Sequence, residues 1–175
     1  MALLPIIVAP DPRLKLRCAP VTRVDAGVRR LMDDMLETMY EAPGVGLSAP
    51  QVGETRRVIV VDATPRDGPR GPLRMANPEI ISAARELAPR EEGCLSFPDQ
   101  FADVERPAAV RIRYLDEENE IREIDAKGLL AACVQHEIDH LDGVLFVDHL
   151  TALRRGMILR KMQKAKRMKA KEAAA

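Results

Sequence analysis

The stretch Gly128-Leu129-Leu130-Ala131-Ala132-Cys133-Val134-Gln135-His136-Glu137-Ile138-Asp139-His140-Leu141-Asp142-Gly143 decides the fold. Its apolar residues cover nearly every side of a helix running from Gly128 to Leu141, so that helix has to be buried. Gly143 falls just past the last periodic residue, where helices commonly stop. Inside the helix, His136-Glu137-Ile138-Asp139-His140 fits the H-E-x-x-H pattern. Positions i and i+4 stand one above the other, so two imidazoles can converge on one ion with Glu137 close by. Histidines and carboxylates on a buried helix need partners, because unpaired buried charge is costly. A metal ion answers that need.

Upstream, Val28, Leu31, Met32, Met35, Leu36 and Met39 recur at helical spacing, with Arg29, Arg30, Asp33, Asp34 and Glu37 opposite. This is an amphipathic helix with Asp25 as its N-cap and Pro43-Gly44 at its end. Residues 57–63 (RVIVVDA) form a β-branched run, the mark of a buried strand. Short strands are expected near 73–76, 79–88 and 94–97, then a hairpin in which 110–114 returns through DEENE to 121–124. Downstream, Leu150, Leu153, Met157, Ile158, Met162 and Ala165 make an apolar stripe on a third helix. Strand groups packed around a buried central helix, with an N-terminal amphipathic helix and a long C-terminal one, give an α+β fold.

The 175 residues fit one domain, and 46% hydrophobic with 31% charged residues is globular rather than disordered composition. No apolar run approaches the ~20 residues of a membrane span. The opening ALLPIIVAPDP lacks a basic leader and is broken by Pro5 and Pro10, so no secretory signal is expected. Three widely spaced cysteines, Cys18, Cys94 and Cys133, argue against a disulfide framework and for a reducing, cytoplasmic setting. The net charge of zero hides an asymmetry. Residues 154–175 hold nine basic residues against Glu172 alone, a net +8, leaving 18 basic and 26 acidic residues in the body. Such a tail is drawn to polyanions.

Two histidines need a third ligand. The longer zincin pattern continues to Gly143, but its third histidine falls on Phe146, which cannot ligate. The only glutamate after His140 is Glu172, in the basic tail. Cys133 lies seven residues before His140, roughly 10 Å along the axis, too far for one ion. His149 sits beyond the helix end and reads as a surface residue. Cys94 remains, in EEGCLSFP (91–98), between turn-forming residues from which a thiolate can approach the helix. A Cys/His/His set with an open fourth position is what a hydrolytic metal site requires. A general metallopeptidase would use the same helix. A ribosome-associated protein with a purely structural metal is the reading from another class.

GVGLSAPQ (44–51), EGCLS (92–96) and HEIDH (136–140) together resemble the three signature motifs of the peptide deformylases, in order and at similar separations. IIVAPDPRLKLRCAPV (6–21) and HLDGVLFVDHL (140–150) resemble the family's flanking segments, so the likeness spans essentially the whole chain. Two residues depart from the usual pattern: Ser48 stands in place of an alanine, and Phe101 where many members carry arginine.

The resemblance implies hydrolysis of the N-formyl group from the initiator methionine of nascent polypeptides, releasing formate. It implies one divalent ion on Cys94, His136 and His140, natively Fe(II), with Zn(II), Ni(II) or Co(II) able to replace it. Glu137 is the implied proton acceptor and donor. The Gln51 amide and the Leu95 N–H are the implied oxyanion donors. Val45, Gly46, Leu129, Ala132 and Cys133 are the expected walls of the methionine slot and peptide channel. Glu92 is expected to pair with Arg106, and Asp139 to support the site from behind. Residues 1–150 would form the catalytic domain, and 151–175 a basic helix belonging to the same domain. That helix would dock on the ribosome. A cytoplasmic monomer with no membrane contact is expected.

Overall fold

The computed structural model describes residues 2–175. Three α-helices, α1 (Ala26–Glu41), α2 (Gly128–Leu141) and α3 (Ala152–Ala174), accompany seven strands. These are β1 (Gly46–Ser48), β2 (Val58–Val61), β3 (Leu73–Ala83), β4 (Leu87–Cys94), β5 (Phe97–Pro107), β6 (Ala109–Leu115) and β7 (Ile121–Lys127). Five strands form an antiparallel sheet in the order β1-β2-β3-β6-β7, while β4 and β5 pair separately. The architecture is α+β.

The apolar run in β2 is explained by its two neighbours. Ile59 and Val61 face α2, packing with Val134, Ile138 and Leu141. Val58 and Val60 face the other way, onto Val28, Met32, Met35 and Met39 of α1. Side chains alternate across a strand, so a strand between two helices needs apolar residues at every position. A third cluster joins Phe97, Ala102 and Val104 of β5 to Phe146, Val147, Ile158 and Met162.

Both sequence-derived boundaries of α2 hold, and Asp25 caps α1 by accepting from the Val28 N–H at 2.9 Å. Gly143 takes the left-handed conformation at φ +73°, and a Cβ there would run into the Lys15 carbonyl. Other expectations need correction. The strands placed at 73–76 and 79–88 are one strand, β3, whose pairing with β6 slips between Ala76 and Glu79. Asn77-Pro78 therefore produces a bulge rather than an end, with Asn77 at φ +49°. The strand expected at 94–97 is the tight connection between β4 and β5, a hairpin longer than the sequence pattern suggested. The α3 stripe is shorter than drawn: Ile158 and Met162 are buried, but Leu153 and Met157 are 72% and 46% exposed. No helix among the described residues is long and apolar enough to cross a membrane.

Candidate metal centre and active site

The segments carrying the three motifs meet where α2 crosses the edge of the five-stranded sheet. α2 presents His136, Glu137 and His140, all buried. Cys94 comes from the end of β4, where the β4–β5 register slips between Gly93 and Cys94. Such a slip re-aims the next side chain. One donor atom each from Cys94, His136 and His140 lie within 4.8 Å of one another. Cys94 Sγ and His140 Nε2 are 3.4 Å apart. Tetrahedral ligands at thiolate and imidazole bond lengths stand roughly 3.3–3.8 Å apart, so this set fits one ion.

The surroundings fit a cation as well. Glu92 Oε1 lies 3.0 Å from His136 Nδ1, leaving Nε2 for the ion. Burial opposes charge on His136, yet its hydrogen bonds with Cys94 and Glu92 outweigh that and raise its pKa well above the ordinary value. A divalent ion held by thiolate and imidazole would take the place of that proton. His140 is held neutral by burial and by the His136 and Arg106 charges, the form in which imidazole binds metal. Its buried Nδ1 has no partner among the described residues. Behind the centre, Arg106 donates to Glu92 at 2.6 and 3.0 Å and to Asp139 at 2.8 Å. Asp139 also meets His149 Nε2 at 2.8 Å.

Glu137 is 4% exposed and its Oε2 has no hydrogen-bond partner among the described residues. Burial, then the Glu92 charge, raise its carboxyl pKa to about 7 against the easing effect of His136. Gly46 lies directly against it: a Cβ would stand 2.6 Å from Glu137 Oε1 and 2.7 Å from Cys133 Sγ. The Val45 carbonyl accepts from Asp62 N–H at 2.8 Å and from the Cys133 thiol at 3.4 Å. Burial pushes the Cys133 thiol pKa well up, so this cysteine stays neutral.

Gln51 is buried, with Oε1 accepting from the Ser48 N–H at 2.9 Å and the Ser48 hydroxyl at 2.8 Å. This leaves Nε2 donating to Ser96 Oγ at 3.0 Å, with a long contact to Cys94 Sγ at 3.6 Å. Leu95 occupies the turn after Cys94, its side chain against Gly44, and its N–H has no partner among the described residues. Val45, Gly46, Cys133, Gln51 and Leu95 are thus gathered with the three donors. Leu129 and Ala132 stand farther back along α2, and Leu129 is 41% exposed. Sequence reasoning missed three features: the Glu92–His136 contact, the part Ser48 plays in orienting Gln51, and Ser96 altogether. The small residues around Cys94 were the only signal for Ser96.

Residues 3–156 match the family model described as polypeptide deformylase. A peptide deformylase of Methylocella silvestris is 54% identical over 98% of this chain and 89% of its own length. The crystal structure of peptide deformylase from Ehrlichia chaffeensis superposes with a TM-score of 0.91 at 37% identity, covering 97% of this chain and 99% of that one. A Met-Ala-Ser-bound peptide deformylase from Acinetobacter baumannii superposes at 0.80 with 39% identity, over 85% of this chain and 99% of that one. Likeness in sequence and fold runs through all the elements that build the centre, and the chain belongs to the polypeptide deformylase family.

Proposed function

We propose that the protein hydrolyses the N-formyl group of formylmethionine at the start of nascent polypeptides, with Glu137 as the proton carrier. The observation that carries this is the buried Glu137 carboxylate, with one oxygen unpartnered among the described residues, beside the converged Cys94, His136 and His140. These three residues would hold one divalent ion. Fe(II) is our choice on the family resemblance, and Zn(II), Ni(II) and Co(II) suit the same donors. When bound, such an ion supplies Lewis acidity and lowers the pKa of water toward neutrality.

Glu137 accepts the proton as water attacks the formyl carbon and delivers it to the departing nitrogen as the C–N bond breaks. Formate and a free amine leave. A carboxyl pKa near 7 suits both transfers at neutral pH. Negative charge growing on the formyl oxygen is met by the Leu95 N–H and by Gln51 Nε2, whose long contact to Cys94 is the one it can give up. Val45, Gly46, Cys133, Leu129 and Ala132 receive the methionine side chain. All these groups come from one chain, so a monomer suffices.

Residues 1–150 form the catalytic body in this reading. α3 is tied to it by Ile158 and Met162, and apart from Met162 its residues from Lys161 onward are exposed. This exposed basic end, which touches the body where Lys166 donates to the Pro10 carbonyl at 3.3 Å, would meet ribosomal RNA phosphates in the cytoplasm. Cutting after Ala165 removes Lys166, Arg167, Lys169 and Lys171 without touching the core. Ribosome co-sedimentation at low salt should fall, and an unchanged amount would end this part of the proposal. For the reaction itself, formyl-Met-Ala-Ser should release formate with its peptide bonds intact. Peptide-bond cleavage of unblocked Met-Ala-Ser would instead favour a general metallopeptidase.

A further inference from the structure

β1 is the edge strand of the five-stranded sheet, so among the described residues one side of Gly46–Ser48 has no partner strand. At its far end Ser48 and Gln51 are 0% and 1% exposed, closing the way inward. At its near end Val45 is 38% exposed and Pro43 is exposed. A peptide whose formyl group reaches Glu137 beside Gly46 therefore leaves past Val45 and Gly44. At ~3.3 Å per extended residue, its third residue would lie about 10 Å onward, on the Gly44–Pro43 side of the strand.

A cavity of about 170 Å³ opens there, lined by Tyr40, Gly44, Val45, Asp62, Arg66 and Arg70 among others. Arg66 donates to the Pro43 carbonyl at 3.2 Å, and the Arg70 guanidinium lies 4.0 Å over the Tyr40 ring. Neither arginine makes a salt bridge among the described residues. The carboxylate of Asp62 is already satisfied: Oδ1 accepts from the N–H and hydroxyl of Thr64, and Oδ2 from Tyr40 and the Gly71 N–H. Those donors are all neutral, so the Asp62 charge remains, and the cavity sets two guanidiniums against one carboxylate, a net positive charge on the path of the departing peptide. Nothing in the proton transfer or the methionine slot uses them.

We propose that Arg66 and Arg70 form a subsite that favours a carboxylate side chain on the third residue of the formylated peptide. It rests on the deformylase reading, since that reading fixes where the formyl group lies. The metal-loaded protein would be assayed at low salt with amidated formyl-Met-Ala-Glu-Ser, formyl-Met-Ala-Lys-Ser and formyl-Met-Ala-Gln-Ser. We expect kcat/KM for Glu to exceed that for Lys by about five-fold, the scale of screened surface charges, and the ratio to shrink in high salt. Arg66→Gln with Arg70→Gln should bring the ratio close to one while leaving the Gln peptide within about two-fold. Arg66→Lys with Arg70→Lys should restore the preference. A ratio near one in the unaltered protein, or one that survives the glutamine pair, overturns the subsite. Calorimetric binding of the unformylated Met-Ala-Glu-Ser and Met-Ala-Lys-Ser amides judges the same preference without turnover. Should no formylated peptide release formate, the deformylase reading fails, and the calorimetric comparison still decides the subsite.

Discussion

Glu92 Oε1 lies 3.0 Å from His136 Nδ1, and the same carboxylate takes the Arg106 guanidinium through both oxygens at 2.6 and 3.0 Å. Glu92 and Arg106 are only 7% and 6% exposed. Glu92 therefore does two jobs, fixing one imidazole and neutralising a buried cation. Glu92→Ala should cost about 3–5 kcal/mol, because Arg106 is left with only the half-exposed Asp139. Glu92→Gln should be milder in stability but should weaken divalent-ion affinity about 10–100-fold. Urea unfolding and competition with a chelator measure the two effects separately.

Acid should expose the same carboxylate. Burial alone would raise the Glu92 pKa, but hydrogen bonds from His136 and Arg106 outweigh it and hold the value at about 2, against an ordinary 4.5. The unfolded chain then takes up the proton first as pH falls. The stability Glu92 contributes is complete above an ordinary carboxylate pKa and is lost as pH drops through about 2. The unfolding free-energy difference between the unaltered protein and Glu92→Gln, measured in chelator, should narrow from about pH 6 to about pH 2. A constant difference would contradict this.

Gly46 is the tightest point of the site. Gly46→Ala puts a Cβ 2.6 Å from Glu137 Oε1 and 2.7 Å from Cys133 Sγ, so the carboxylate has to move. We expect about 1–3 kcal/mol of destabilisation. kcat should fall on the order of 100-fold, through misplacement of the proton carrier. Gly44→Ala meets only the flexible end of Leu95 and should be far milder. Steady-state kinetics on the pair distinguishes a specific displacement from general loop damage.

Glu137→Gln keeps the volume of the side chain and removes its basicity. Formate release should fall by about 10²–10⁴-fold while metal content stays at the unaltered level. Retained activity would remove Glu137 from the proton transfer.

Much of the fold was legible because its signals are local. The apolar helix 128–141, the cap at Asp25 and the β-branched run in β2 each state their structure through period or turn chemistry. The β4–β5 hairpin was not legible, since Leu87–Glu91 of β4 are all exposed, the alternation of β5 puts a buried arginine, Arg106, where an apolar residue is expected, and its tight turn resembles a strand. The bulge at Asn77-Pro78 was hidden because proline reads as a break whether or not pairing resumes. At the site, the H-E-x-x-H spacing carried two of the proposed ligands and the proposed proton carrier. Cys94 followed from eliminating the other candidates and from the family motifs. Contacts across long chain separations, such as Glu92 to His136 or Gln51 to Ser96, leave no periodic trace. They depend on how β4 lies against α2, which only the assembled molecule specifies.

The most direct measurement is X-ray absorption at the metal edge of anaerobically loaded protein, with formate release assayed on the same sample. We expect one sulfur and two imidazole nitrogens per ion, loss of the sulfur signal in Cys94→Ser, and stoichiometric formate from formyl-Met-Ala-Ser. A sulfur-free ion in the unaltered protein, a fourth protein ligand closing the centre, or a fully loaded sample that releases no formate would contradict it.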